Sequence, residues 1–464
     1  MNGLRFVPPA RLVLALGSAA GLLVGVTTGA LAGAASKTRE VSGSSRTLLE
    51  ATHLPPLLRA PGEQVELSYE AFCVGDGGED DPCAVDGAVF VREGHEGPFS
   101  ALELEPSVSA AGRQLVARVP GSFAEPTGDV EYYAVLEAAD GQAGLTIPPG
   151  GGAAPHLSSL LHEEVEVDLG RHVFGKGRSA DARVAAAAWG SDADDVGLEE
   201  GRNLSPIGAT AFDVNASGTI YVLDEANRRV LRWNRGSKSP ARIPVSVFGS
   251  LADMEVAPDG TIYVLETVGR PGGNPLVRRF DGDGRELERV EIAERTASQI
   301  RMGTGGPVVL QQPSHQWMPV SAEGVMAGAA TQRRNGSVGR PLPAGDDVVV
   351  LRRENEVRVA LTRRGGARRT WRIHSETALG EVQLAEPLGN RLVLVVRAYT
   401  DTETEFLVLI LDGRGLVEGI PLASAEWAET APLGRFELVG SSLYRLGSTQ
   451  HGAFVDRFDL EVRR

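Results

Sequence analysis

Five polar side chains occupy one repeated position in the chain from residue 213 onwards, each between apolar residues of a short strand-like run. They are Asp213, Glu255, Arg301, Gln383 and Glu437. If these runs converge on one axis, the three carboxylates supply oxygen ligands of the kind that Ca²⁺ prefers, and the guanidinium opposes a cation by repulsion. The same pattern arises when strands merely alternate polar and apolar residues and the polar ones pair between neighbouring units. A ligand or divalent-cation site and a structural polar position are therefore both open.

The remaining reactive groups form no recognisable catalytic constellation. Two acidic clusters, at residues 76–81 and 192–200, lack the spacing of a Ca²⁺-binding loop and are interpreted as solvated turns. The eight histidines show no H-x-x-x-H spacing, so no zinc site is predicted. No G-x-S-x-G, P-loop or dinucleotide-binding pattern occurs. Residues 311–317 are either a rim loop that offers His315 and Trp317 to a ligand or a packed outer strand.

The elements that would position the five polar residues repeat along residues 163–464. Each unit joins two short apolar runs by a turn that contains a glycine. These glycines are Gly218, Gly260, Gly306, Gly345, Gly389 and Gly440. Their separations of about 40–50 residues, with no long helical pattern between them, match the period of a β-propeller. We therefore predict an all-β fold in which residues 163–464 form a six-bladed propeller, with five to seven blades compatible with the pattern.

A propeller ring is commonly closed by a strand from the far end of the domain. Residues 164–169 alternate cleanly between apolar and acidic side chains and stand just before the first unit. We predict that they complete the last blade beside residues 453–460. Residues 178–205 are predicted to be an irregular insertion.

The first unit contains the stretch GTIYVLDEANRRV at residues 218–230. This stretch resembles the NHL repeat, in which a glycine hairpin leads to a hydrophobic strand and then to an Asp, an Asn and an Arg. The resemblance continues in residues 254–280, where Glu266 replaces the Asp. Asp and Asn suit such a turn because their short side chains bond to nearby backbone. The resemblance implies a propeller, and in the related lactonase and gluconolactonase propellers it implies a divalent cation at the axis, with Ca²⁺ as the candidate here.

Residues 61–148 predict a separate antiparallel β-sandwich, because about six short strand-like runs alternate there with turn clusters. The stretch EYYAV at residues 131–135, followed by Asp140 and Gly141, resembles the penultimate strand and last hairpin of fibronectin type III and immunoglobulin-like domains. The resemblance implies a tyrosine hydroxyl that ties back to a loop backbone. Residues 33–60 are predicted to be a flexible leader and residues 149–162 a linker.

The N-terminus predicts export from a bacterial cell. Arg5 and Arg11 form a positive region before an apolar stretch, residues 12–26, and an A-x-A pattern ends at residue 32. Residues 1–32 are therefore predicted to be a signal peptide, with retention as an uncleaved anchor as the alternative. Export makes a Cys73–Cys83 disulfide the expected state of the two cysteines. The protein is expected in the periplasm, on the cell surface or secreted.

The net charge of −15 argues against nucleic acid or an anionic membrane as the main partner. Because catalytic constellations are missing, the favoured hypothesis is a non-enzymatic protein whose propeller recognises a protein or glycan outside the cytoplasm. One alternative is a metal-dependent propeller enzyme, a lactonase-like hydrolase or a lyase, that would use Asp213, Glu255 and Glu437. Another is a structural scaffold of the cell envelope. The sequence makes no prediction of the oligomeric state.

Overall fold

The computed structural model describes residues 48–74, 80–81, 84–109, 112–123, 128–139, 141, 143–161, 163–200, 205–247, 251–267, 274–292, 297–311, 316–320, 339–353, 355–424, 426–432 and 434–460. The predicted signal peptide, most of the predicted leader, Cys83 and His315 lie outside these ranges. The described elements are strands, apart from one 3₁₀ turn at Gly151–Ala153. Within these ranges, no helix has the length and apolar character that crossing a membrane requires.

The N-terminal part of the chain forms a sandwich of two β-sheets. Its strands are β1 (Leu48–His53), β2 (Leu58–Arg59), β3 (Val65–Val74), β4 (Asp80–Asp81), β5 (Val85–Glu93), β6 (Ser100–Glu103), β7 (Glu105–Ser109), β8 (Gly112–Val119), β9 (Val130–Ala138), β10 (Gly144–Ile147) and β11 (His156–Leu160). One sheet has the order β1-β3-β8-β7 with β4 beside β3, and the other has the order β2-β11-β9-β5-β6 with β10 beside β9. Both sheets share one apolar core, in which Leu67 and Tyr69 of β3 belong with Ala134 and Leu136 of β9.

The sandwich extends beyond the predicted limits of residues 61–148. β1 and β2 arise from the predicted leader, and β11 arises from the predicted linker. β2 and β11 pair in parallel, with Leu58 opposite Ser159, so the two ends of the domain meet in a contact that no local pattern reveals. The resemblance implied a tyrosine hydroxyl that is bonded to a loop backbone. In the structure, the hydroxyl of Tyr132 is instead hydrogen-bonded to the Nε2 of His53 at 2.9 Å.

The C-terminal part of the chain folds into six further sheets. Their strands are β12 (Glu164–Asp168), β13 (Ala182–Ala188), β14 (Ala211–Val214), β15 (Ile220–Asp224), β16 (Arg229–Trp233), β17 (Ala241–Pro244), β18 (Asp253–Val256), β19 (Ile262–Glu266), β20 (Leu276–Phe280), β21 (Glu286–Glu291), β22 (Ala297–Gly303), β23 (Gly306–Gln311), β24 (Gln316–Pro319), β25 (Arg340–Pro341), β26 (Asp347–Arg353), β27 (Glu356–Thr362), β28 (Arg368–His374), β29 (Ala378–Leu388), β30 (Arg391–Tyr399), β31 (Thr404–Asp412), β32 (Gly415–Ala423), β33 (Phe436–Val439), β34 (Ser442–Thr449) and β35 (Gly452–Asp459). The six sheets are blade 1 (β14–β17), blade 2 (β18–β21), blade 3 (β22–β24), blade 4 (β25–β28 with β12), blade 5 (β29–β32) and blade 6 (β33–β35 with β13).

The six blades close into a ring. Contacts between inner strands run from β14 to β18, β22 and β25, continue from β26 to β29 and β33, and return from β33 to β14. The six predicted hairpin glycines all lie at the junction of the first and second strands of their blades, with φ between 60° and 123°, and Gly306 is itself the first residue of β23. Glycine suits these turns because a side chain strains a backbone with positive φ. The predicted six-bladed propeller is confirmed.

The strand that completes the last blade is not the predicted one. β12 pairs in parallel with β28 at the outer edge of blade 4, where Val165 lies opposite Trp371. β13, which comes from the predicted irregular insertion, pairs with β35 and completes blade 6. β13 has the sequence ARVAAAA. Because alanine is depleted in strands, this sequence did not indicate a strand. The valines of β12 pack instead into the core around Trp371.

Apolar cores join blades 1 and 2, 2 and 3, 4 and 5, 5 and 6, and 6 and 1. Between blades 3 and 4 no comparable core forms within the described part of the chain. The face of blade 4 that is turned away from blade 5 packs Leu351 and Ala360 against Leu57, Leu58 and Leu161 of the sandwich. The sandwich therefore takes part in the wall of the propeller at this position.

Ion pairs fasten the sandwich to the same face of blade 4. Glu63 contacts Arg358 at 2.5 Å and Arg353 at 2.6 Å, and the side chain of Arg358 is 2% exposed. Burial acts to raise the pKa of Glu63, but hydrogen bonds from Arg358 and the backbone of Ala60 outweigh it and hold the pKa below its usual value. The carboxylate of Glu63 is thus stabilised in its charged form at the joint.

The turn between β15 and β16 has the chemistry that its sequence predicts. The Asp224 carboxylate accepts hydrogen bonds from the side chain of Asn227 at 2.9 Å and from Arg229 at 2.8 Å. In blade 2, Glu266 accepts a hydrogen bond from Arg278 at 2.8 Å in the corresponding place. Both acids are almost fully buried, so these pairs fix the second and third strands of their blades.

Candidate axial site

A cavity of about 650 Å³ lies between the inner strands of the propeller. All five of the predicted ring residues line it, each from a different blade: Asp213, Glu255, Arg301, Gln383 and Glu437. Ala216, Pro258 and Pro343 also line it, and all three are exposed in the hairpins that join first to second strands. The cavity therefore opens on the hairpin face of the propeller, and the five polar side chains lie inside it.

Two of the carboxylates also join neighbouring blades. Asp213 accepts hydrogen bonds from its neighbour, the Val214 N–H, and from the Val256 N–H of blade 2, each at 2.6 Å. Glu255 accepts one from the Met302 N–H of blade 3 at 2.9 Å. The alternative that these polar residues pair between units is therefore correct for Asp213 and Glu255, although both still face the cavity.

Arg301 lies at the end of the cavity where the inner strands begin. Its Nη1 donates to Asp253 Oδ2 at 2.6 Å, and Asp253 is the first residue of β18. Its Nη2 lies against Gly434, just before β33, where a methyl group would overlap it. Asp253 was missed by sequence reasoning, although it stands two residues before Glu255 and alternation therefore places both on one face of the strand.

Blade 5 and blade 6 supply the opposite wall. Gln383 accepts a hydrogen bond from the Arg435 N–H at 3.3 Å and donates one to Glu381 at 2.6 Å. Glu437 lines the cavity, and no hydrogen bond or close ion pair to its carboxylate is found among the residues that the structure describes. Of the predicted ring, Glu437 is thus the carboxylate that the fold leaves without a direct partner.

The pKa values of the three ring carboxyls are raised, chiefly because they are removed from water. Burial raises the pKa of Asp213 to about 6, against the effect of its backbone hydrogen bonds. Burial, together with the charge of Asp213, raises the pKa of Glu255 to about 8. The pKa of Glu437 lies well above its usual value for the same reasons. These carboxyls therefore retain protons at a higher pH than ordinary carboxyls do.

The pKa of Arg301 responds in the opposite direction to its surroundings. Burial acts to lower it, but the charges of Asp253, Glu255 and Glu437 outweigh burial and hold the pKa above its usual value. Arg301 therefore remains charged. Because its Nη1 donates a hydrogen bond to Asp253, Arg301 neutralises that acid more directly than it neutralises the ring carboxylates.

The three ring carboxylates do not assemble a metal centre. Among the described residues, no three His, Cys, Asp or Glu side chains are grouped so that they could hold a metal ion. The acidic turn near residue 192 is held by Arg229, which donates to the carbonyls of Asp192 and Asp195 at 2.8 and 2.7 Å. In the other acidic cluster, residues 76 and 79 lie outside the described residues.

An apolar region adjoins the acidic one. Leu310 and Trp317 of blade 3 line the cavity together with Leu57 of the sandwich. Trp317 belongs to β24 and is 8% exposed, so it is both a packed strand residue and part of the cavity wall. Leu57 could not be found from the sequence, because its place depends on how the sandwich packs against blade 4.

The fold and the cavity define a class: an all-β protein with an N-terminal sandwich and a six-bladed propeller whose axial cavity is acidic. No protein-family model matches the chain, and no curated protein matches it.

Solved structures similar to this chain include two proteins of unknown function. One, from Bacteroides caccae, shares 14% identity over 48% of this chain and 92% of that chain, with a TM-score of 0.33. The other, from Bacteroides thetaiotaomicron, shares 10% identity over 91% of this chain and 100% of that chain, with a TM-score of 0.35. Virginiamycin B lyase from Staphylococcus aureus shares 9% identity over 54% and 94% of the two chains, with a TM-score of 0.33. At these low values, the propeller assignment rests on the strand pairing of this chain.

Proposed function

We propose that the protein is an exported, non-enzymatic recognition protein whose propeller binds a partner protein through its hairpin face. The observation that carries the proposal is the axial cavity, which opens among the hairpins of blades 1, 2 and 4 and holds the ring carboxylates inside. Enclosed sites with a few placed polar groups and an apolar wall are typical of ligand binding. Perturbed carboxyl pKa values in such a site add support.

A binding role is preferred to a metal-dependent enzyme. A lactonase-like or lyase reaction through Asp213, Glu255 and Glu437 requires a cation, and no three His, Cys, Asp or Glu side chains of the described residues are grouped to hold one. We expect purified protein to carry no stoichiometric metal and to keep its melting temperature when Ca²⁺ or a chelator is added. Stoichiometric Ca²⁺, or a clear shift with chelator, would return the enzyme hypothesis to first place.

We further propose that the sandwich is an immunoglobulin-like or fibronectin type III-like domain and that blades 1 and 2 are NHL-like. For the sandwich, the order β1-β3-β8-β7 within its five-stranded sheet corresponds to the A-B-E-D order of such domains. For the blades, the Asp224 turn and its Glu266 counterpart support the assignment. Extracellular recognition proteins often use such sandwiches.

Export is proposed from the N-terminal sequence, which lies outside the described residues. N-terminal sequencing of protein recovered from the cell envelope should find a chain that begins after residue 32. An intact N-terminus in the membrane fraction would instead favour the uncleaved anchor. Thiol counting under denaturing conditions should find no free thiol, as a Cys73–Cys83 bond requires, and two free thiols would reject that bond.

Site-specific photo-crosslinking in the producing cell tests the recognition function. A benzophenone amino acid at Ala216 lies at the exposed rim of the cavity, whereas one at Gln450 lies in the exposed turn between β34 and β35, at the opposite end of the blades. We expect a discrete exported protein to be captured from position 216 and not from position 450. Equal capture from both positions, or none from 216, would overturn the proposal, and a conjugate that contains sugar without peptide would assign the partner to a glycan.

A further inference from the structure

The acidic part of the cavity contains more carboxyl groups than Arg301, its cation, can pair with. Four carboxyl groups interact electrostatically with one another or with Arg301: Asp213, Asp253, Glu255 and Glu437. Arg301 is engaged by Asp253 at 2.6 Å. A ligand that brings one positive charge among the remaining carboxyls would favour their ionised form and be stabilised by it.

Glu437 is a second, independent feature of the cavity that points to a ligand. Its side chain lines the cavity, and within the described ranges no protein group donates a hydrogen bond to its carboxylate. By contrast, Asp213 and Glu255 each accept backbone N–H groups. Glu437 is half-buried in the wall of the open cavity, so its carboxyl group is accessible to a hydrogen-bond donor from outside.

The apolar part of the cavity limits what that donor is attached to. Leu310, Trp317 and Leu57 form a wall suited to a hydrocarbon stem, and the indole of Trp317 offers a face for aliphatic groups. A hydrated metal ion gains nothing from this wall. An ammonium or guanidinium group on an alkyl stem matches both parts of the cavity, because such side chains bury their stems while their heads reach polar groups.

We propose that the axial cavity receives a lysine or arginine side chain of the partner, with its charged head among Glu437 and Glu255 and its stem along the apolar wall. This deepens the proposed function and rests on it. The sandwich contributes to the same site through Leu57, so the side chain is bound by both domains. The hairpin rim around the mouth contacts the partner's surface beside that side chain.

Calorimetric titration of the full chain with small blocked amino acids tests the proposal. N-acetyl-lysine N-methylamide carries the cation and the stem, whereas N-acetyl-norleucine N-methylamide carries a similar stem without charge. We expect the lysine compound to bind at least about tenfold more tightly than the norleucine compound, since a charged hydrogen bond is worth about that factor or more. Equal binding of the two compounds would overturn the proposal.

Two matched substitutions locate the effect. Glu437→Gln removes the ionisable carboxyl without removing a hydrogen bond of the fold, and Glu418→Gln makes the same change at an exposed position on β32. We expect Glu437→Gln to reduce binding of the lysine compound by about tenfold or more and Glu418→Gln to leave it unchanged. Unchanged binding in Glu437→Gln would contradict the proposal.

A third compound separates a protein side chain from a free amine. n-Butylammonium has the same cation and stem but lacks the peptide groups, so weaker binding than that of the lysine compound is expected. Binding at least as tight would overturn the assignment to a side chain. If no compound binds while crosslinking at position 216 still captures a partner, the cation proposal fails and the recognition function stands. If capture fails as well, both fail.

Discussion

The raised pKa of Glu255 predicts how the stability of the propeller depends on pH. The pKa is 4.5 for an ordinary glutamate and about 8 in the fold, because burial and the charge of Asp213 disfavour the carboxylate. Between these values the folded chain keeps a proton that the unfolded chain releases. The free energy of unfolding contributed by this group is therefore fully present below pH 4.5 and is lost as the pH rises towards 8.

The magnitude follows from the same two values. One pH unit corresponds to about 1.4 kcal/mol for one proton, so the loss between about pH 5 and about pH 8 is about 4 kcal/mol. Glu255→Gln removes this titration, and its amide oxygen still accepts the hydrogen bond from the Met302 N–H. We expect the variant to lose about 4 kcal/mol less than the wild type over that interval, when both are compared with the exposed control Glu418→Gln.

Urea unfolding followed by tryptophan fluorescence measures this difference in the propeller alone. All five tryptophans lie between residues 189 and 427, and the sandwich has none. The reasoning would be refuted if wild type and Glu255→Gln lost the same free energy between about pH 5 and about pH 8. It would also be refuted if Glu418→Gln reproduced the effect, because an exposed glutamate has no comparable desolvation.

Three further substitutions test the contacts that hold the site. Trp371→Ala should cost about 3–5 kcal/mol in urea unfolding, because the indole is fully buried and donates to a backbone carbonyl at 2.7 Å. Gly434→Ala should cost at most about 1 kcal/mol, because its methyl group overlaps only the end of the Arg301 side chain, which can shift; a larger loss would show that the guanidinium is held rigidly. Glu63→Gln should cost about 1–2 kcal/mol and separate the sandwich and propeller transitions in calorimetry, because Arg358 loses one of its carboxylate partners and keeps Glu356 at 2.7 Å. One unchanged transition would argue against the joint.

The sequence was informative wherever one residue determines a local geometry. Each hairpin glycine adopts a positive φ, so the spacing of these glycines along the chain indicated the six blades directly. The ring residues followed from strand alternation, since inner strands that share an axis bring equivalent positions together. The Asp224 turn was predictable for the same reason, because its bonds join residues close in the chain.

The sequence was uninformative where pairing is decided at a distance. β12 and β13 are both short edge strands, and only packing decides that Val165 lies beside Trp371 while the alanines of β13 lie beside β35. β1, β2 and β11 carry too little pattern to be assigned to a sheet before their partners are known. The contribution of Leu57 to the cavity depends on the contact between two domains, which no periodicity within either domain encodes.

A crystal structure of the full chain with N-acetyl-lysine N-methylamide most directly tests whether the axial cavity binds a cation. We expect the ammonium group within hydrogen-bond distance of the Glu437 carboxylate and the alkyl stem against Trp317, with the backbone groups of the compound towards the hairpin rim. An empty cavity at saturating compound, or a compound bound only on the outer faces of the blades, would contradict this assignment.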